Sequence, residues 1–182
     1  MAIFAIVAAA FLILWAVLFN RLVRLRNQVE GAWADIDVQL TRRHDLVPQL
    51  VTAVRAYAGH ERAVLEAVTD LRSRAEATES PRELGKVESA LEQALSRLFA
   101  LRESYPDLKA NENFLRLQRD LVEVEETLQY ARRFYNGAVR DLNTAVQRVP
   151  DVVVARAFGF REAEFFQAEA EARDPAQVRL EP

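Results

Sequence analysis

Apolar side chains recur along this chain at the spacings of helices, and that pattern divides it into segments. The first stretch, MAIFAIVAAAFLILWAVLFN, has no charged side chain, and its apolar run from Ala2 to Phe19 is near the length at which a membrane span is the default reading. Residues 1–20 are therefore read as a transmembrane anchor, with residues 2–19 in the lipid bilayer. A cleaved signal peptide is the competing reading, but no basic segment precedes the run and no small-x-small site with a polar approach follows it. From Arg21 to about Ala77, the positions Leu22, Leu25, Val29, Trp33, Ile36, Leu40, Val47, Leu50, Val54, Tyr57, Val64, Val68 and Leu71 step mainly by three, four or seven. This is the stripe of one long amphipathic helix. Neither Gly nor Pro stands between the apolar run and Gly31, so the anchor is expected to continue unbroken into it. Pro48 removes an intrahelical hydrogen bond and predicts a kink rather than a stop, because the stripe resumes in phase. Gly59, ahead of His60 and Glu61, is a second candidate break.

Ser80-Pro81-Arg82-Glu83 has the form of a helix start, with Ser at the cap, Pro at the first helical position and Glu placed to close a capping box. The second stripe is Leu84, Val87, Leu91, Leu95, Leu98 and Leu101, and Tyr105-Pro106-Asp107 ends it. The third is the most regular: Phe114, Leu117, Leu121, Val124, Leu128, Ala131, Tyr135, Ala138, Leu142, Ala145 and Val149 alternate steps of three and four. It predicts a helix from about Leu108 to Val149, roughly 60 Å long at the standard rise. Pro150 stops it, Asp151 is placed to cap a short fourth helix through Ala157, and Gly159 suits a left-handed C-terminal cap. Beyond Phe166, residues 167–182 form a polar tail expected to fray. The fold class is all-α, an antiparallel bundle of three long helices and one short one over residues 21–166, standing on the anchor as on a stalk.

Composition narrows the function. The 182 residues include no Cys, which removes disulfides, thiolate nucleophiles and Cys-ligated zinc. Twenty-four basic residues are interspersed among 27 acidic ones rather than gathered into a patch, so nucleic-acid binding lacks its electrostatic footprint. Arg21, Arg24 and Arg26 follow the apolar run directly. By the positive-inside rule they predict a single-pass protein of the cell inner (cytoplasmic) membrane, its amino terminus outside and its C-terminal domain in the cytoplasm.

The densest polar run within a stripe is WADIDVQLTRRHDLVPQL, residues 33–50. An enzyme or metal site would gather Asp35, Asp37, His44 and Asp45 with His60 and Glu61. Against it, His60-Glu61 lacks a second His four residues on, a place held by Val64. His44 and His60 also stand sixteen residues apart, about 24 Å along a straight helix, too far to share a metal within one chain. Without a Gly-rich phosphate loop or a GxSxG elbow, the checklist of nucleophile, base and stabiliser is not met. No catalytic residue, metal ligand or cofactor is therefore assigned. At 100° per residue Arg43 projects from the middle of the apolar face of Ile36, Leu40, Val47, Leu50 and Val54, where a cation requires a partner. Glu61 on the same stripe, and Asp120, Glu125 and Asp141 on the third helix, are the candidates. Asp37 and Glu30 lie at the edge of the face. Asp35, Arg42 and Asp45 lie away from it, a solvated face on which Arg42 and Asp45 are spaced to pair. Tyr135, Asn136, Arg140, Asp141 and Asn143 form a second polar group, in which the two Asn, one heptad apart, flank the core and suit a role in alignment. Val152, Val153, Val154, Phe158, Phe160, Phe165 and Phe166 exceed what a single stripe of a short helix buries, so this group either caps the bundle, the preferred reading, or forms an oligomer or partner surface.

The runs RLRNQVEGAWADIDVQLTRRHDLVPQLVTAVRAYAGHE, RRFYNGAVRDLNTAVQRVP and AFGFREAEFF, with the anchor ahead of them, closely resemble the LemA family over nearly the whole chain. The resemblance implies a membrane-anchored four-helix bundle without an established enzymatic activity, and a protein partner of the kind of the HtpX-type membrane zinc peptidases. Gln49 replaces the family's common Asn after the proline, and Arg55-Ala56 stand where Lys-Gly is frequent; neither disturbs the assignment. Because residues 33–50 are the family's most recognisable run, Asp35, Arg42 and Asp45 are retained as a docking surface as well. A membrane-tethered scaffold, possible as a homo-oligomer, is the leading expectation; a metal-dependent or catalytic role at the His44 and His60 region is the alternative.

Overall fold

The structure, a computed structural model in which residues 1–166 are described, is built on one continuous helix, α1 (Ala2–Ala58). It joins the charge-free run to the first soluble helix and passes through Pro48. Residues 2–14 are exposed on every side, and the segment is long and apolar enough to cross a membrane. From Leu22 onward one face turns inward, burying Leu22, Val29, Ile36, Leu40, Val47, Leu50 and Val54, which is the stripe expected of an amphipathic helix.

The all-α bundle is as expected; the division into helices is not. The long first helix stops at Ala58, and after a turn at 59–61 α2 (Arg62–Glu76) folds back along it. Arg72 Nε donates to the backbone carbonyl of His44 at 2.8 Å across a separation of 28 residues. In a straight helix those residues would stand about 42 Å apart. The stripe conceals the reversal because Leu65 and Val68 enter the same apolar cluster as Val54 and Ala58. A returning helix faces the same core, so its spacing stays in phase.

Ser80 caps α3 (Pro81–Ala100) by accepting from the Glu83 backbone N–H. The Glu83 carboxylate accepts from Lys86 Nζ at 2.7 Å. A 3-10 turn over Leu101–Glu103 and the short α4 (Pro106–Lys109) lead to α5 (Glu112–Gln147). α5 begins later than the expected Leu108 because Asn111 caps it, its side chain accepting from the Phe114 backbone N–H at 2.8 Å. α5 runs antiparallel to α1, with Asn111 bonded to Tyr57 at one end and Arg21 to Asp151 at the other. The short α6 (Asp151–Phe158) ends at Gly159 with φ of 71°, the left-handed cap expected there. The fourth member of the bundle is therefore α2, and α6 is an addition beside it. Asp151 does not cap α6 with its side chain; it is fully buried and accepts from Arg21 Nη1 at 2.7 Å.

α2 and α3 have 15 and 20 residues against the 36 of α5, so their hairpin covers only the distal half of the α1–α5 pair. The half nearer the apolar segment is covered by α6 and an extended strap, residues 160–166. Asn143 and Ala163 exchange two hydrogen bonds, of 3.0 and 2.8 Å, and Asn136 and Phe166 exchange two more, of 3.1 and 3.0 Å. The spacings match: seven residues of helix rise roughly 10.5 Å, and three residues of extended chain reach about 10 Å. Between the clamps, Tyr135 Oη donates to the Glu164 carbonyl at 2.8 Å. The two Asn thus align the strap rather than neighbouring helices. Phe166, 1% exposed, packs on Trp33 along the flank of the bundle, while Phe158 and Phe160 pack on Phe19 at the end beside the apolar segment. The polar tail expected at 167–182 lies outside the described residues.

Replacing both Asn136 and Asn143 with Ala removes four hydrogen bonds; at about 0.5 to 1.5 kcal/mol each, chemical denaturation should show a loss of about 2 to 6 kcal/mol. Hydrogen exchange should accelerate first at the amides of 163–166.

Candidate functional site

The core consists of two apolar clusters. One runs from Leu22 to Leu40 with Tyr135, Leu142, Val154 and Phe166; the other gathers Val47, Leu50, Val54, Leu65, Leu91, Leu98, Phe114 and Leu121. Between them lies a layer of buried charge. α1 supplies Arg43, set in its apolar stripe between Leu40 and Val47, and the adjacent His44; α3 supplies Glu88; α5 supplies Glu125 and Arg132. Glu88 is fully buried, and both of its carboxylate oxygens are occupied. Oε2 accepts from Arg43 Nη1 at 2.9 Å, and Oε1 bonds to His44 Nε2 at 2.7 Å. Arg43 Nη2 pairs with Glu125 Oε2. The other Glu125 oxygen stands 3.6 Å from Arg132 Nη1, which lies 3.8 Å from Glu92 on α3. The Arg132 guanidinium sits 5.2 Å from the centroid of the Phe166 ring. Three helices and the strap are thereby joined through one set of ions.

Burial pushes the Glu88 carboxyl up, but the His44 hydrogen bond and the Arg43 charge outweigh it and hold the group below the ordinary glutamate value. An ionised carboxylate only accepts, so His44 carries a hydrogen on Nε2. Exchanging such a network for well-packed apolar groups is often neutral, whereas removing one member leaves an uncompensated charge and costs about 3 to 5 kcal/mol. The layer is suited to fixing which helix faces which, and at what register.

Of the partners expected for Arg43, Glu125 is one; Glu61, Asp120 and Asp141 are not. Glu61 accepts from Tyr105 Oη at 3.0 Å near the α1–α2 turn, and Asp141 lies on an exposed face of α5 rather than inside the bundle. Glu88 and Arg132 were not anticipated, and Asp151 was expected as a helix cap rather than as a buried ion. Glu88 left one signal: it stands four residues after Leu84 and three before Leu91, an acid at a stripe position. His44 and His60 are not brought together, because His60 is exposed at the distal turn, about four helical turns along from His44. Among the described residues no three His, Asp or Glu gather in a way that would hold a metal ion.

The three outward residues divide among different surroundings. Asp35 lines a groove of about 370 Å³ between α1 and α5, with Val38, Gln39, Thr127, Tyr130 and Phe134. Asp45 lines a different groove of about 440 Å³, beside α2, with Trp33, Asp37, Glu76 and Glu79. Arg42 reaches Glu123 on α5 at 3.5 Å rather than Asp45. Of the four phenylalanines considered for a partner surface, Phe166 is buried and Phe160 and Phe165 are half-buried, while Phe158 stays exposed beside Trp15 and Phe19.

An all-α bundle, extended from an apolar N-terminal helix and braced across its middle by buried ions, is the class of protein these features define. The chain belongs to the LemA family, whose model matches residues 32–180. Among its relatives are the magnetosome proteins MamQ 1 and MamQ 2 of Paramagnetospirillum magneticum, each 25% identical over 187 residues, covering 87% of this chain and 68% of the relative. Protein LemA of Metamycoplasma hominis is 26% identical over 153 residues, covering 82% of this chain and 68% of its own.

Glu88→Leu should destabilise the bundle by about 3 to 5 kcal/mol, and adding Arg43→Met should recover most of that loss; denaturant titration of the single and double variants checks both. Because the folded-state value of Glu88 lies below its unfolded value of about 4.3, its charge stabilises the fold above that pH, and the contribution is lost as pH falls through the folded value. The stability gap between the native protein and Glu88→Gln should hold steady through neutral pH and narrow below about pH 4.

Proposed function

We propose that this protein is a non-enzymatic, membrane-anchored scaffold that presents its bundle to protein partners at the cytoplasmic face of the inner membrane. The observation that carries the reading is the open groove between α1 and α5, rimmed by Val38, Tyr130 and Phe134, all of them large apolar side chains left exposed. An aromatic pair beside a concave apolar strip with Asp35 at its edge has the make-up of a protein-contact surface. The buried ions support the same reading, since Glu88 engages Arg43 and His44 inside the bundle and directs them toward structure rather than chemistry. The continuous α1 suits a stiff stalk, and Arg21, Arg24 and Arg26 favour a cytoplasmic bundle. A membrane zinc peptidase of the HtpX type is the partner that the family resemblance suggests, and a second copy of this chain is the other candidate for the groove.

Photocrosslinkers at Tyr130 and Phe134, activated in native membranes and followed by mass spectrometry, should capture a discrete protein, and Val38→Asp should abolish the capture. Capture that survives Val38→Asp would place the contact elsewhere. Stoichiometric metal in the purified full-length protein, lost in His44→Ala with His60→Ala, would overturn the scaffold reading in favour of a metal-dependent role.

A further inference from the structure

The end of the bundle next to the apolar segment carries exposed apolar side chains that no other described residue covers. Val149 is 75% exposed, Val153 55% and Phe158 54%. On α6, Val153, Arg156 and Ala157 share the outward face, while Val154 and Ala155 face the core. The position of this face along α1 is fixed by contacts. Arg21 pairs with the buried Asp151 at the start of α6, and the Phe158 ring at its end lies 4.8 Å from Phe19 and 6.2 Å from Trp15. Phe19 and Trp15 belong to the apolar segment, so α6 reaches alongside the last turns of that segment.

The charges there have one predominant sign. Arg148, Arg156 and Arg161 are exposed around the valines, and Arg24 lies on α1 at the same level. The acids nearby are engaged: Asp151 by Arg21, with Arg148 3.9 Å away, and Glu162 by Gln147 at 2.9 Å. Apolar side chains interleaved with arginines, held beside the end of an apolar helix, have the composition of an interfacial membrane segment.

We propose that α6 lies in the headgroup region of the bilayer, with Val149, Val153 and Phe158 toward the acyl chains and Arg148, Arg156 and Arg161 toward lipid phosphates. This rests on the reading of α1 as a membrane anchor, and it adds a second membrane contact. Two contacts joined by the Arg21–Asp151 pair and the tilted Phe19–Phe158 ring contact fix how the bundle stands on the bilayer, and with it the height and direction of the α1–α5 groove. A scaffold that receives a membrane-bound partner needs that orientation.

The chain has no cysteine, so a single introduced Cys is a unique label site. The full-length protein in vesicles of phosphatidylcholine and phosphatidylglycerol is labelled with an environment-sensitive fluorophore at Val149→Cys or Val153→Cys. Val7→Cys in the apolar segment and Val122→Cys, exposed on α5 in the distal half, serve as references. The expected result is blue-shifted emission at Val149 and Val153, quenched most by lipids spin-labelled near the headgroup, with Val7 quenched by labels deep in the chain and Val122 by neither. If Val7 is quenched while Val149 and Val153 behave like Val122, α6 is not at the interface. A blue shift at α6 without lipid quenching means that protein covers it, which also overturns the inference. Absence of quenching at Val7 would instead overturn the anchor on which it rests.

Discussion

The carboxylate of Glu88, shielded from water and bonded through one oxygen to Arg43 and through the other to His44, is the contact on which the arrangement of this bundle depends. The backbone of α3 packs far more closely on α2 than on α1 or α5. Leu91, Leu95 and Leu98 reach the α1 and α5 core, and long polar side chains bridge the rest of the gap: Arg43 and His44 to Glu88, Arg132 toward Glu92, and, from the 3-10 turn after α3, Arg102 Nη1 to Gln118 at 3.2 Å. The molecule is in effect an α1–α5 pair to which an α2–α3 hairpin is latched. Apolar packing alone is tolerant of sliding, because one leucine layer resembles the next. A buried ion has few acceptable positions, and this layer lies where the two apolar clusters meet. Its net contribution to stability is small by the general behaviour of buried ion pairs; its contribution to register is the larger one.

The strap solves the complementary problem at the other end. The hairpin is too short to cover the α1–α5 pair down to the apolar segment, and extended chain covers the remainder with fewer residues than a helix would need. Its peptide groups have no ladder to join, so Asn136, Asn143 and Tyr135 supply the hydrogen bonds that a neighbouring strand would have supplied. Arg132 ties strap and latch together, facing Glu125 and Glu92 on one side and the Phe166 ring on the other. Two of the surfaces left open are informative for that reason: the groove between α1 and α5, and the outward face of α6 beside Phe19.

Much of this was legible in the chain itself. The stripes on α1, α3 and α5, the Ser80 cap, the left-handed Gly159 and the burial of Arg43 follow from spacing and local chemistry, which act within a few residues. The reversal at Gly59 was less legible, since a helix that returns to the same core keeps its apolar phase. Its only local sign was a Gly followed by His60 and Glu61. Glu88 was missed because one acid in a stripe resembles a surface residue until its partner, 45 residues away in the chain, is known. Asn136 and Asn143 were recognised as paired by their heptad spacing, but spacing within a helix does not show what the pair holds. Asp151 followed a local rule for caps, and a distant arginine overrode it.

Hydrogen exchange of the full-length protein, read peptide by peptide in the native form and in Glu88→Gln, tests the latch most directly. Loss of charge at that one atom pair should lower protection across α2 and α3, residues 62–100, while α1 and α5 keep theirs below the bundle's middle. An equal loss in every helix, or none in α2 and α3, would show that Glu88 does not hold the hairpin in place.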